Sequence, residues 1–353
     1  MKKVLFFVLI FASYILLIEL ICRGWIHFKG DALQRASLIL QGDTHLGWRQ
    51  KPELNATFEK TSVITDKAGF RLDSEKNQQL ADAQILVLGP SSAFGWGVED
   101  AETYSRILQK ETGLKVFNAG QIGFGVEQGL QLWEEFITAK NLRYVIIAYG
   151  VNDIDRYRFY GASGSSDEDF FRQPESSRLT ALESVSFSSA FVNLSSRAIN
   201  EVRLLWPCPP QKVPELRATP AHWQQKMNEL AEKISESGAK PIFLSSAFFF
   251  SRPADESLNS KSDELYAKSA RAAIGGLCSD SRAYFREARG FEPYRIRRDL
   301  DILNKSLKSL AAKWTLVEIH NLLDTKNDFV DPIHPSPAGH LKIARSLSAV
   351  VFK

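Results

Sequence analysis

From residue 82 onward the chain alternates short, continuously apolar runs with longer amphipathic stretches, and that rhythm restricts the folds open to it. Ile85–Leu88 ("ILVL"), Lys115–Asn118 ("KVFN"), Tyr144–Tyr149 ("YVIIAY"), Lys240–Ser246 ("KPIFLSS") and Thr315–His320 ("TLVEIH") read as strands. Between them, helices are expected over Thr103–Thr112, Glu127–Ala139, "WQQKMNELAEKISESG" closed by Gly238, and "DLDILNKSLKSLAAKW". A last helix begins near Ser336. Strands apolar on both faces and separated by helices call for a parallel sheet covered by helices, an α/β sandwich. Two polar stretches break the rhythm, residues 155–220 and 247–295, and read as insertions with partial helix. They follow the C-terminal ends of strands, where α/β folds place their ligand sites, and so are candidates for substrate recognition or a lid.

The first 81 residues differ in kind. "MKKVLFFVLIFASYILLIELICRGW" holds an apolar stretch from Val4 to Cys22, broken only by Glu19. At the helical rise such a stretch spans roughly 30 Å, a bilayer core. The reading is a membrane anchor over residues 1–24, with a cleaved signal as the alternative; no small-residue cleavage site is evident. Lys2 and Lys3 bias the N-terminus toward the cytoplasm, leaving the main domain outside it. Residues 25–81 read as a juxtamembrane connector with short extended segments, and residues 82–353 as the main domain. In an oxidising compartment Cys208 and Cys278 are candidates for a disulfide, with two buried free thiols as the alternative. A net charge of +3 over 353 residues, with Lys and Arg scattered, gives nucleic-acid binding no electrostatic support. No His/Cys cluster suggests a structural zinc site.

The loops after the strands carry the chemistry-bearing residues. Strand one ends in Gly89-Pro90-Ser91-Ser92, strand two in "NAGQIGFG", strand three in "GVND", and "DPIHPSPAGH" precedes the last helix. In a parallel sheet these loops share one edge, so distant residues converge. Acyl transfer needs a hydroxyl nucleophile, a base, a group orienting the base, and donors for the oxyanion. Ser91 fits the first role, His334 the second, and Asp331, on the same loop, the third. The backbone N–H groups of Ser91 and Gly123 and the side-chain amide of Asn152 are the candidate oxyanion donors. Singly, each residue is an ordinary cap or turn residue; the ordered set at strand ends argues for chemistry. His320 and His340 receive no role.

Together, "GPSSAFGWGVEDAETY", "NAGQIGFG", "GVND" and "DPIHPSPAGH" resemble the four signature blocks of the SGNH/GDSL hydrolases across residues 82–353. With "LGWRQKP" and "AGFRLD" ahead of the first block, the chain looks like a membrane-anchored bacterial envelope subgroup. The resemblance implies a flavodoxin-like three-layer α/β/α fold with a five-stranded parallel sheet, and ester hydrolysis or acyl transfer without metal or cofactor. By position it matches Ser91 to the nucleophile, Gly123 and Asn152 to the oxyanion residues, and Asp331 and His334 to the DxxH pair. The expected function is a serine esterase acting on an O-acyl (O-acetyl) envelope glycan or lipid on the periplasmic or cell-surface side. An O-acyltransferase with the same triad and a non-catalytic envelope protein are the alternatives. The departure is Pro90, where the family pattern has Asp. That Asp is outside the triad, and Pro90 fixes φ and withdraws a backbone donor, which reads as a rigid elbow exposing Ser91. Ser92 is the weaker candidate for the nucleophile.

Overall fold

A computed structural model of the chain describes residues 2–72, 79–137, 141–156, 166–179, 181–205, 208–209, 211–213, 215–250 and 255–352. Parts of three expected features, the helix tail at 138–139 and the insertions at 157–165 and 251–254, lie outside the described residues.

Five strands form one parallel sheet: β5 (Ile85–Leu88), β6 (Val116–Asn118), β7 (Tyr144–Ile147), β8 (Lys240–Leu244) and β9 (Thr315–Val317), in the order β6-β5-β7-β8-β9. Each pairing is parallel in register, for instance Ile85 against both Val116 and Tyr144. This is the flavodoxin-like order, with the direction of winding reversing between β5 and β7. Alternate residues of β5 face opposite layers. Ile85 and Val87 pack with Tyr104, Leu108, Ile343 and Leu347 of α4 (Tyr104–Thr112) and α14 (Pro337–Val351). Leu86 and Leu88 join the core made with α5 (Val126–Phe136), α10 (Pro220–Glu236) and α13 (Glu292–Leu310). The sheet is therefore covered on both faces, which is why its strands carry no polar alternation.

The stretch expected as a connector is built into this body. Helix α2 (Ala32–Ser37) leads to two antiparallel hairpins, β1 (Leu40–Asp43) with β2 (Gly47–Gln50) and β3 (Asn55–Phe58) with β4 (Thr61–Ile64). Trp48, Phe58, Val63 and Phe70 are buried in the same core as Leu86 and Leu88. Ahead of them α1 (Lys2–Lys29) runs unbroken past the expected end of the anchor. Its segment Phe6–Lys29 is long and apolar enough to cross a membrane, by length and composition, with an 18-residue window of mean hydropathy 2.2. Glu19, the lone acid of the apolar run, accepts from Ser189 Oγ (2.8 Å), Ala190 N (2.8 Å) and Phe191 N (3.1 Å). It thereby caps helix α9 (Ala190–Leu205), whose free amides attract a negative charge. Arg23 pairs with Glu19 at 2.7 Å and donates to Ser188 O.

The insertions are helical. The first carries α6 (Asp167–Arg172), α7 (Glu175–Arg178), α8 (Ala181–Ser186) and α9. The second is a hairpin of α11 (Lys261–Ile274) and α12 (Cys278–Gly290). Ser269 and Ser281 exchange hydroxyl-to-carbonyl bonds of 2.8 Å where these two helices touch. A Cys208–Cys278 disulfide joins the two insertions, resolving the alternative left open above. It closes a loop of 70 residues, which by chain entropy contributes about 4 kcal/mol. Replacing both cysteines by serine is expected to lower the unfolding free energy by up to that amount. Reductant should destabilise the wild type and leave the double variant unmoved in the same denaturation assay.

Candidate active site

The Ser91 turn is formed by a strand that ends against its neighbour. After β5, a Cβ on Gly89 would meet Ala93 Cβ at 2.8 Å and Ala148 Cβ at 3.0 Å, so only glycine lets the chain turn there. Pro90 takes the N-cap position of the one-turn helix α3 (Ser91–Phe94) with φ −82°, within proline's range. Its carbonyl accepts from Ala93 N and Phe94 N at 3.0 and 2.9 Å. An N-cap residue contributes its carbonyl to the helix, so the donor proline lacks is one the turn does not use. Ser91 occupies the first helical position, where unpaired amides favour negative charge.

Two side chains hold this turn by its carbonyls. Asn118, at the end of β6, donates from Nδ2 to Ala93 O at 2.9 Å. Arg71, fully buried, donates from Nη1 to Phe94 O and Gly95 O at 2.9 and 2.6 Å. Its Nη2 reaches Val98 O at 2.8 Å. Gly120 lies directly against the turn, for a Cβ there would stand 2.4 Å from Phe94 N.

The loop before α14 brings the imidazole to Ser91. Asp331 Oδ1 accepts from the backbone N–H of Ile333 and of His334, both at 3.0 Å. Its Oδ2 lies 2.7 Å from His334 Nδ1, and His334 Nε2 lies 2.7 Å from Ser91 Oγ. Burial works to raise the Asp331 pKa, but the bond and charge of His334 and the two amides outweigh it and hold it below the usual value. An ionised carboxylate can only accept, so Nδ1 carries the proton and Nε2 presents its lone pair to the serine hydroxyl. The Trp96 ring stacks flat on His334, with centroids 4.7 Å apart and planes 5° apart. That face attracts a cationic imidazolium.

The expected oxyanion residues Gly123 and Asn152 lie on two loops that Asn152 ties together. Gly123 has φ +80°, and its carbonyl accepts from Arg217 Nη1 at 2.8 Å. Asn152 Nδ2 donates one hydrogen to Phe124 O at 3.0 Å, leaving its second N–H for an oxyanion. Arg217 is itself held by Asp167, Nε to Oδ1 at 3.1 Å and Nη2 to Oδ2 at 2.9 Å. Ser92 faces a cavity of about 30 Å³ instead of the imidazole, lined also by Ala148, Ser245 and Ile333. Arg71, Trp96, Asn118 and Arg217 escaped the residue-level reading. The quoted "AGFRLD", "AFGWG" and "NAGQIGFG" segments held a signal for the first three.

Among the described residues, one group has ligand spacing for a cation, His45 with Glu135 and Glu175, all solvent-exposed. His45 Nδ1 lies 3.1 Å from a carboxylate oxygen of each, so an ordinary ion pair accounts for it. His320, without an expected role, bonds through Nδ1 to Ser245 Oγ at 2.7 Å.

No family model and no curated protein matches the chain. Among solved structures it is similar to a GDSL-like lipase from Bacteroides thetaiotaomicron, with a TM-score of 0.38 and 11% identity over 78% of this chain and 90% of that one. It is similar also to the inhibitor-bound aryl esterase of M. smegmatis, with a TM-score of 0.39 and 12% identity over 76% and 98% of the two chains. LAE5, an α/β hydrolase enzyme from the metagenome of Lake Arreo, Spain, has a TM-score of 0.40 and 15% identity over 77% and 96%.

His340 lies beneath the site and titrates far from its ordinary range. Burial first, then the charges of Arg71 and His334, push it from 6.5 down to about 3. Its Nδ1 accepts from Tyr104 N at 3.1 Å. The unfolded chain takes up this proton near pH 6.5, the folded one near pH 3, so stability is held above 6.5 and lost as pH falls toward 3. The loss reaches about 2 kcal/mol at pH 5. His340→Gln keeps an acceptor for Tyr104, and its unfolding free energy should fall less steeply between pH 7 and 5 by that amount. Parallel curves for the two proteins would contradict this.

Proposed function

We propose that the chain is a membrane-anchored serine esterase that removes O-acyl groups, acetyl among them, from an envelope glycan or lipid. The observation that carries this reading is the continuous line from Asp331 Oδ2 through His334 to Ser91 Oγ, with both links at 2.7 Å. The resemblance of the four sequence blocks to SGNH/GDSL hydrolases supports it. Ser91 Oγ attacks the acyl carbonyl carbon while His334 Nε2 takes its proton. The carbonyl π electrons move to oxygen, and the resulting oxyanion is met by the N–H groups of Ser91 and Gly123 and the free N–H of Asn152. Collapse breaks the bond to the leaving alcohol, which takes the proton from His334. Water then repeats the sequence on the acyl-enzyme, releasing the acid. Asp331 keeps the imidazole in the productive tautomer, and the Trp96 face favours the transient imidazolium. The N-terminal stretch over residues 1–24, with its apolar run from Val4 to Cys22, is read as the anchor, and the Cys208–Cys278 bond fits an oxidising extracytoplasmic compartment.

A fluorophosphonate probe tests the reading on the full-length chain in detergent. Wild type and Ser92→Ala are expected to label, and Ser91→Ala and His334→Ala are not. Asn152→Ala should lower kcat on an aryl ester by about 10²–10³-fold. A folded wild type that stays unlabelled would point to the non-catalytic alternative. Release of acetate from envelope polysaccharide against fatty acid from lipid separates the substrate classes. Hydrolysis of neither, with transfer to an added sugar acceptor, would move the assignment to an acyltransferase.

A further inference from the structure

The "LGWRQKP" segment contributes nothing to the triad, yet its tryptophan reaches the proposed oxyanion loop. Trp48 is 3% exposed, and its indole Nε1 donates to Ile122 O at 2.8 Å. That carbonyl belongs to a tight turn over Gln121–Phe124, closed by Phe124 N to Gln121 O at 3.3 Å. Gly123 stands third in the turn with φ +80°, the signature of a type II turn. Types I and II differ by a flip of the central peptide, here Ile122–Gly123, and glycine accommodates both. A trans peptide holds its C=O and N–H in one plane, pointing in opposite directions. Whatever holds Ile122 O on the Trp48 side therefore aims the Gly123 N–H the other way.

The turn is placed beside the nucleophile. Gln121 N donates to Gly89 O at 2.9 Å, and Gly120 touches the backbone of Phe94. Its later carbonyls are tied as well, Gly123 O to Arg217 and Phe124 O to Asn152. Neither of those bonds fixes the Ile122–Gly123 plane; Trp48 acts on it directly. The indole is itself wedged, edge-to-face on Phe124 with centroids 6.1 Å apart and with the Arg217 guanidinium 5.6 Å over its ring.

We propose that Trp48 is a positioning residue of the oxyanion hole, its indole N–H locking the Ile122–Gly123 peptide with the Gly123 N–H turned toward the reacting acyl group. This rests on the esterase reading above. Without the indole N–H the peptide is free to flip, placing the Ile122 carbonyl where an oxyanion must form. The lost donor acts in the transition state, so the effect falls on kcat and spares KM.

The test uses the full-length chain in detergent, with p-nitrophenyl acetate as substrate and fluorophosphonate labelling as a second rate. Trp48→Phe removes the N–H and keeps an aromatic ring. Benzothienylalanine at position 48 keeps the bicyclic shape and exchanges N–H for sulfur, so folding is preserved if the smaller ring is not tolerated. Both changes are expected to lower kcat and the labelling rate about 10²-fold. KM and the acid limb of the pH profile should stay as in the wild type, because the base is untouched. In an Asn152→Ala background the Trp48 effect should shrink, since both act on one hole. A benzothienylalanine protein with wild-type kcat overturns the inference and leaves the esterase reading intact. A loss shared equally by kcat and the melting temperature, absent with benzothienylalanine, assigns Trp48 to packing alone and also overturns it. A wild type that neither hydrolyses nor labels, or a Ser91→Ala that still does, overturns the underlying reading.

Discussion

The guanidinium of Arg71 is the charge around which this site is assembled. It is buried and donates to three carbonyls of the Ser91 turn and the segment after it, Phe94 O, Gly95 O and Val98 O. A cation out of water is costly unless hydrogen bonds offset the loss, and here both Nη groups make them while Nε makes none among the described residues. Burial favours its neutral form, and the charges of Asp100 and Glu99 work against that. The segment after β4 must therefore dock in one register, and the short α3, too brief to hold itself, acquires a fixed orientation. Asn118 and Gly120 fix the same turn from the β6 side, one by a bond and the other by having no side chain.

Much of this was legible in the sequence, and the parts that were not share a cause. The strands were readable because burial on both faces leaves them uniformly apolar, and Ser91, Asp331 and His334 because their residue types are those the chemistry requires. Arg71 and Trp48 act on backbone carbonyls, which every residue possesses, so no partner residue betrays them, and the carboxylate partner of Arg217, Asp167, lies 50 residues away inside the first insertion. Helix α13 begins well before the apolar period suggests, since its first turns bury Arg295 against Glu292 and Asp299 rather than aliphatic side chains. The α11–α12 hairpin read as a polar insertion because buried serines, Ser262, Ser269 and Ser281, dilute a small apolar cluster of Leu265, Tyr266 and Phe285.

Pro90 was the misfit of the sequence, and its place in the turn explains why it is tolerated. The N-cap position asks for a carbonyl and an extended backbone, and proline supplies both. An aspartate side chain would accept from amides of the turn; here the turn is held at its carbonyls instead, by donors from Asn118 and Arg71.

Glu19 gives the helix at the front of the chain a mechanical character. By bonding to the first amides of α9 it welds α1 to the body, with Arg23 as a second rivet on Ser188 O. A flexible tether lets a domain sample a broad hemisphere, whereas a strut holds it at one height and one tilt. For a chain anchored as proposed, Ser91 would sweep a thin layer at a fixed distance from the bilayer. Reach, as much as pocket shape, would then decide which acyl esters it meets.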